Sequence, residues 1–185
     1  MVNSAELNSL FTPRFAKNFF PIPPTNSLQI GSLAPPFELI DVMAGQRVKL
    51  ADYLSNPAHR FVLLAFTRIF SEQHYCPFCY PHIKDLNQAV DQFKQRGVAL
   101  VVITSTDPQQ SQVVQQDLGL KMPLLSDPEC KVFRQYQLGQ ALGAPLPAQF
   151  LIDRQGKIRF KHLFSFIETN ASVERLLGAV DANSR

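Results

Sequence analysis

The sequence predicts an α/β domain, a central mixed sheet flanked by helices, and three observations carry that prediction. Two continuous apolar runs, Phe61 to Phe66 (FVLLAF) and Gly97 to Thr104 (GVALVVIT), have the composition of strands covered on both faces. Between them Cys79, Ile83, Leu86, Val90 and Phe93 recur at spacings of 4, 3, 4 and 3, one stripe of a helix. Farther along, AQFLIDRQGKIRFKHL reads as a hairpin: an apolar strand, a turn at DRQGK, then alternation through Ile158, Phe160 and His162.

Taken in order, the chain divides into residues 1–30, an N-terminal arm, and residues 31–185, the α/β domain. The arm is rich in Phe and Pro (SLFTPRFAKNFFPIPPTN) and shows neither a helical nor a strand period. It is expected to lie extended on the domain with its phenylalanines buried. The alternative is an arm that docks a partner or joins two copies in a homodimer. The helical stripe gives a helix from about Cys76 to Gln95, with Gly97 just past its end. Gln109 to Leu118 is a weaker helix. In SDPEC, Asp127 as N-cap, Pro128 at the first helical position and Glu129 in the first turn announce another. Val173, Leu176, Leu177 and Val180 mark a closing amphipathic helix.

Composition narrows the function. The 185 residues are 45% hydrophobic and 18% charged, an ordinary globular balance. A net charge of +3, with no basic cluster interleaved with aromatics, points away from nucleic acid. No apolar run approaches the ~18 residues of a membrane span, and the N-terminus does not read as a signal peptide. Three cysteines are too few for a disulfide framework, and an odd number leaves one thiol unpaired. A reducing, cytoplasmic setting is therefore expected, where a CxxC pair is more often catalytic or metal-binding than structural.

The segment QHYCPFCYPHI, residues 73–83, holds that pair. As a redox pair, Cys76 lies where a loop enters a helix and Pro77 occupies the first helical position, where its missing N–H costs nothing. The N–H groups and positive dipole of that helix start favour a thiolate. Cys79, one turn on and part of the apolar stripe, is the more buried thiol and is placed to resolve an adduct on Cys76. As a metal clamp, His74, Cys76, Cys79 and His82 offer four ligands that zinc accepts. Structural zinc sites, however, usually draw ligand pairs from separate elements, so neither a metal nor another cofactor is expected. Two inert thiols is the third reading. Cys130, in the first turn of another helix, is expected to be a small buried hydrophobe.

The order of GSLAPPFELID, a strand, a cysteine-starting helix, PLLSDPECKVFRQYQLG and PAQFLIDRQGKI resembles the thioredoxin fold, and within it the AhpC/TSA peroxiredoxin-like family, over roughly residues 31–165. AFTR followed by CPFC is similar to the branch with a Phe-x-Arg segment before a CPxC pair. The resemblance implies a thiol redox enzyme without a bound cofactor. It would act on a protein disulfide or a hydroperoxide and be recharged by a thioredoxin- or glutathione-type reductant. Two features depart from the peroxidase pattern. Where that pattern has Pro and then Thr or Ser ahead of the cysteine, this chain has Ile69 and Gln73, and where it has a later active-site Arg, this chain has Pro147, Ala148 and Gln149. Arg68, or His74 when protonated, is the cation left to stand in. Thioredoxins carry a cis proline at the later point, so the resemblance implies a cis Leu146–Pro147 bond beside Cys76, with Leu146 pairing to an extended substrate.

Three functions follow: thiol–disulfide exchange through Cys76 and Cys79, peroxide reduction with Cys76 passing through a sulfenic acid, or a non-catalytic binding module that kept the fold, with or without a bound metal.

Overall fold

The computed structural model describes residues 13–25 and 27–184. In order along the chain it contains α1 (Pro13–Lys17), β1 (Glu38–Asp41), β2 (Gln46–Lys49), α2 (Leu50–Ser55), β3 (Phe61–Phe66), β4 (Ile69–Ser71), β5 (His74–Tyr75), α3 (Cys79–Gln88), α4 (Val90–Gln95), β6 (Val98–Thr104), α5 (Pro108–Asp117), β7 (Leu124–Ser126), α6 (Lys131–Gln135), β8 (Gln140–Ala141), β9 (Ala144–Pro145), β10 (Ala148–Asp153), β11 (Ile158–Leu163) and α7 (Val173–Asn183). Seven strands form one mixed sheet in the order β11-β10-β3-β6-β7-β1-β2. β3 and β6 are parallel from Phe61↔Val98 to Phe66↔Ile103, and β10 runs antiparallel to β3.

The strand period distributes β3 between two cores. Phe61, Leu63 and Ala65 join Ile83, Leu86, Phe93, Val114, Leu176 and Val180 on one face. Val62, Leu64 and Phe66 join Leu50, Phe133, Tyr136 and Phe150 on the other. Both faces of β3 and β6 are covered, as their unbroken apolar runs require. The β10–β11 hairpin pairs Ala148↔Leu163 through Ile152↔Ile158.

Several boundaries differ from expectation. The long helix is two: α3 ends at Gln88, Ala89 departs from helical values with φ of −90° and ψ of 1°, and α4 follows at once. The stripe survives the break, with Cys79, Ile83, Leu86 and Phe93 buried and Val90 packed against the same core. Gly97, at φ +69°, ends α4 as expected. The SDPEC helix begins later, at Lys131. Asp127 still caps it, its carboxylate accepting the N–H groups of Lys131, Val132 and Phe133 at 3.0, 2.8 and 3.2 Å. Cys130 bridges the gap in the left-handed region at φ +54°.

The N-terminal segment also differs from an extended arm with buried rings. It contains the short α1, and Phe19 and Phe20 are 45% and 75% exposed. Phe11 lies outside the described residues. The anchors are polar. Arg14 donates to the carbonyls of Ser105 and Phe70, and buried Asn18 donates to the Cys130 sulfur at 3.7 Å.

Candidate active site

Cys76 sits between β5 and α3, two elements joined by a turn. The assigned helix starts at Cys79, but the Cys76 carbonyl already accepts the N–H groups of Cys79 and Tyr80, both at 3.0 Å. Pro77 therefore occupies the first position after an N-cap carbonyl, where proline is tolerated. Upstream, the stretch IFSEQHY folds into the β4–β5 hairpin, with Ile69↔Tyr75 and Ser71↔His74 paired. This hairpin returns the chain to Arg68, whose carbonyl accepts the Cys76 N–H at 3.4 Å.

The two thiols are unequal. Cys76 is 5% exposed and Cys79 fully buried, and both are free. The Cys79 S–H donates to the Cys76 sulfur, the largest influence on Cys76. Together with the N–H groups of Phe78 and Cys79 and the Arg68 charge, it outweighs burial and lowers Cys76 to about 6. The same bond, burial and the adjacent thiolate push Cys79 far above the ordinary thiol range. Cys130 is buried and raised to about 11 chiefly by that burial, as befits a packing thiol. The helix start thus contributes to the Cys76 thiolate, as expected, but the neighbouring thiol contributes more.

The supporting residues divide. Arg68 is turned to the β8–β9 turn, donating to the carbonyls of Ala141 and Leu142 and stacking over the Phe70 ring at 4.8 Å. Its charge reaches Cys76 but ranks last among the groups acting there, and burial lowers its own pKa. His74 Nδ1 faces Ser71 Oγ at 2.8 Å, and His74 is not among the groups acting on Cys76. His82 is buried, with Nε2 on the Ala171 carbonyl at 3.0 Å, and burial lowers it to about 4. Among the described residues, no three His, Cys, Asp or Glu side chains form a group that could hold a metal ion.

Pro147 requires a correction. No peptide bond among the described residues is cis, so Leu146–Pro147 is trans. The Leu146 N–H is also already bonded to the Gly139 carbonyl at 3.1 Å, so it is not free to pair with an incoming strand. Pro147 is buried in the extended run from β9 into β10.

Sequence reasoning missed Asn170. Its amide nitrogen donates to the Phe78 carbonyl at 3.2 Å and lies 4.0 Å from Cys79 Sγ. Its oxygen accepts from Gln149 Nε2 at 2.9 Å. In the sequence, Gln149 marks only the place where the family's Arg is absent. No short-range signal links positions on β10 and beyond β11; only the folded sheet brings them under the CPFC turn.

A thiolate near neutral pH beside a protonated partner predicts a pH profile. The rate of Cys76 alkylation should rise with pH about an inflection near 6, because only the thiolate reacts. An inflection near the ~8.5 of a free cysteine would contradict the geometry.

Comparison with known proteins agrees with this arrangement. The profile of the AhpC/TSA family matches residues 30–161. The chain is 32% identical to Peroxiredoxin tpx1 of Schizosaccharomyces pombe over 84% of its length and 82% of that protein. It is 27% identical to the thiol-disulfide oxidoreductase ResA of Geobacillus kaustophilus over 83% of its length and 79% of that protein. Among solved structures, Peroxidoxin BcpB from Mycobacterium tuberculosis superposes with a TM-score of 0.70 at 21% identity, covering 84% of this chain and 97% of that one. From these matches and the sheet that carries them, the chain belongs to the AhpC/TSA family and has its thioredoxin-like fold.

Proposed function

We propose that the protein is a thiol–disulfide oxidoreductase in which Cys76 is the nucleophile and Cys79 the resolving thiol. The observation that carries this reading is the placement of two unequal thiols. Cys76 stands at the entry to α3 with its carbonyl accepting the Cys79 and Tyr80 N–H groups, and Cys79 is fully buried beside it, an arrangement that lowers Cys76 and raises Cys79. The Cys76 thiolate attacks one sulfur of a substrate disulfide, forming a mixed disulfide and expelling the other sulfur as a thiolate. Cys79 then loses its proton and attacks Cys76 Sγ. The Cys76–Cys79 bond forms, the bond to the substrate sulfur breaks, and that sulfur leaves with the electron pair and takes up a proton. The substrate is reduced by two electrons and the pair oxidised by two; an external dithiol of the thioredoxin type, or glutathione, restores it. Three cysteines, too few for a disulfide framework, suit a reducing compartment such as the cytoplasm. No helix among the described residues is long and apolar enough to cross a membrane.

Peroxide reduction is the second reading, supported by the likeness to Peroxiredoxin tpx1 and by the positive charge of Arg68 near Cys76. The trans Leu146–Pro147 bond removes one argument for disulfide exchange, the strand-like seat for a substrate, and leaves the thiol asymmetry to carry it.

The test is turnover with a model protein disulfide and, separately, with hydrogen peroxide, each coupled to thioredoxin and its reductase. Disulfide turnover well above peroxide turnover is the expected result. The reverse order selects the peroxidase, and no turnover with either leaves a binding module.

A further inference from the structure

We propose that Asn170 is a positioning residue for the resolving thiol: its amide, locked by Gln149, clamps the Phe78–Cys79 turn, presents an N–H to the Cys79 sulfur, and so sets how fast an adduct on Cys76 is released. The inference rests on the assignment of Cys76 and Cys79 made above.

The orientation of the amide follows from a chain of bonds that begins at a backbone group. The Ala171 N–H can only donate, and it donates to Gln149 Oε1 at 2.9 Å. Gln149 is fully buried on β10, so its Nε2 must point the other way, to Asn170 Oδ1 at 2.9 Å. That leaves Asn170 Nδ2 directed at the Phe78 carbonyl, 3.2 Å away, and at Cys79 Sγ, 4.0 Å away. A flipped Asn170 would set oxygen against oxygen at Phe78 and N–H against N–H at Gln149. The backbone here is held from the helix side as well, because His82 of α3 bonds the Ala171 carbonyl at 3.0 Å. The amide is therefore preorganised on two elements, β10 and α3, before any substrate arrives.

Its importance changes during the reaction. At rest, Cys79 keeps its proton because it donates to the Cys76 thiolate, because it is buried, and because a second negative charge beside Cys76 is unfavourable. Once Cys76 carries a substrate sulfur it is neutral, so the first and last of these causes vanish. Burial still opposes ionisation of Cys79, and the groups that favour the thiolate are the Arg68 backbone N–H and the Asn170 amide. The Arg68 guanidinium is turned to the Ala141 and Leu142 carbonyls, and His82 is held neutral by burial. Attack by Cys76 on the substrate needs none of this; attack by Cys79 on the adduct depends on it.

Reduced protein mixed with one equivalent of dithiobis(nitrobenzoate) separates the two steps by absorbance. Cys76 attack releases one thionitrobenzoate, and Cys79 attack on the mixed disulfide releases the second. Asn170→Ala and Asn170→Asp should leave the first phase within about twofold of the unmodified protein. The second phase should slow by about tenfold in Asn170→Ala, the scale of one hydrogen bond to a charged group. It should slow further in Asn170→Asp, which keeps the shape and can still accept from Gln149 but sets a carboxylate where a thiolate must form. A purely structural role predicts the opposite order, with the near-isosteric aspartate milder than alanine. That order, or second phases equal to the unmodified protein's, would overturn the inference while leaving the Cys76–Cys79 assignment intact. If the unmodified protein shows no second phase, it is that assignment which fails.

Discussion

Cys79→Ser should convert the protein into a trap: one mixed disulfide per chain on Cys76, stable to further exchange, and no turnover. The serine hydroxyl can take over the bond that the Cys79 S–H makes to Cys76, so the Cys76 thiolate and its attack survive. What disappears is the only nearby sulfur able to displace the substrate. Cys130 is buried, raised to about 11 and bonded by Asn18 at 3.7 Å, so it is a poor substitute. Mass spectrometry of the variant after treatment with a model disulfide checks the result, with the adduct mapped by peptide. Continued turnover at the original rate would mean that another thiol resolves Cys76.

The residues that built the sheet were legible because each obeys one local period. FVLLAF and GVALVVIT announce buried strands, and the stripe through Ile83, Leu86 and Phe93 announces the helix between them. The CPFC pair was legible for a similar reason, since proline and two cysteines at that spacing make sense chiefly at a helix start. The β4–β5 hairpin was not. Its strands are only three and two residues long, and their mixture of apolar and polar residues carries no period. The late start of α6 was hidden by Cys130, a residue with a Cβ that nevertheless adopts φ +54°. The bond between Gln149 and Asn170 was out of reach altogether, because a hydrogen bond between residues 21 positions apart leaves no mark on either neighbourhood. The family resemblance suggested a cis proline at position 147; the bond Leu146 makes to Gly139 gives that stretch a different use.

That stretch is where the N-terminal segment is fastened, and Gly139→Ala should show how firmly. Ile22 and Gln140 exchange both backbone bonds at 2.8 Å, and Thr25 N–H bonds the Gln137 carbonyl at 3.0 Å. The segment crosses Gly139 so closely that a Cβ there would lie 2.3 Å from the Ile22 carbonyl oxygen and 2.7 Å from the backbone of Pro23 and Pro24. These are backbone atoms, so no rotamer change relieves the clash, and the φ of +72° adds strain for any residue with a Cβ. Overpacking and strain together should cost about 3 kcal/mol, a fall in melting temperature of roughly 6–12 °C for a chain of this size. The damage should reach the site, because the β8–β9 turn just beyond Gly139 supplies the Ala141 and Leu142 carbonyls that hold Arg68. With Arg68 released, its charge no longer favours the Cys76 thiolate to the same degree, and the alkylation inflection should move upward from about 6. Thermal melting and the alkylation profile of the same variant check both halves. An unchanged melting temperature would show that the segment does not lie across Gly139, and an unchanged inflection would show that its seat is independent of Cys76.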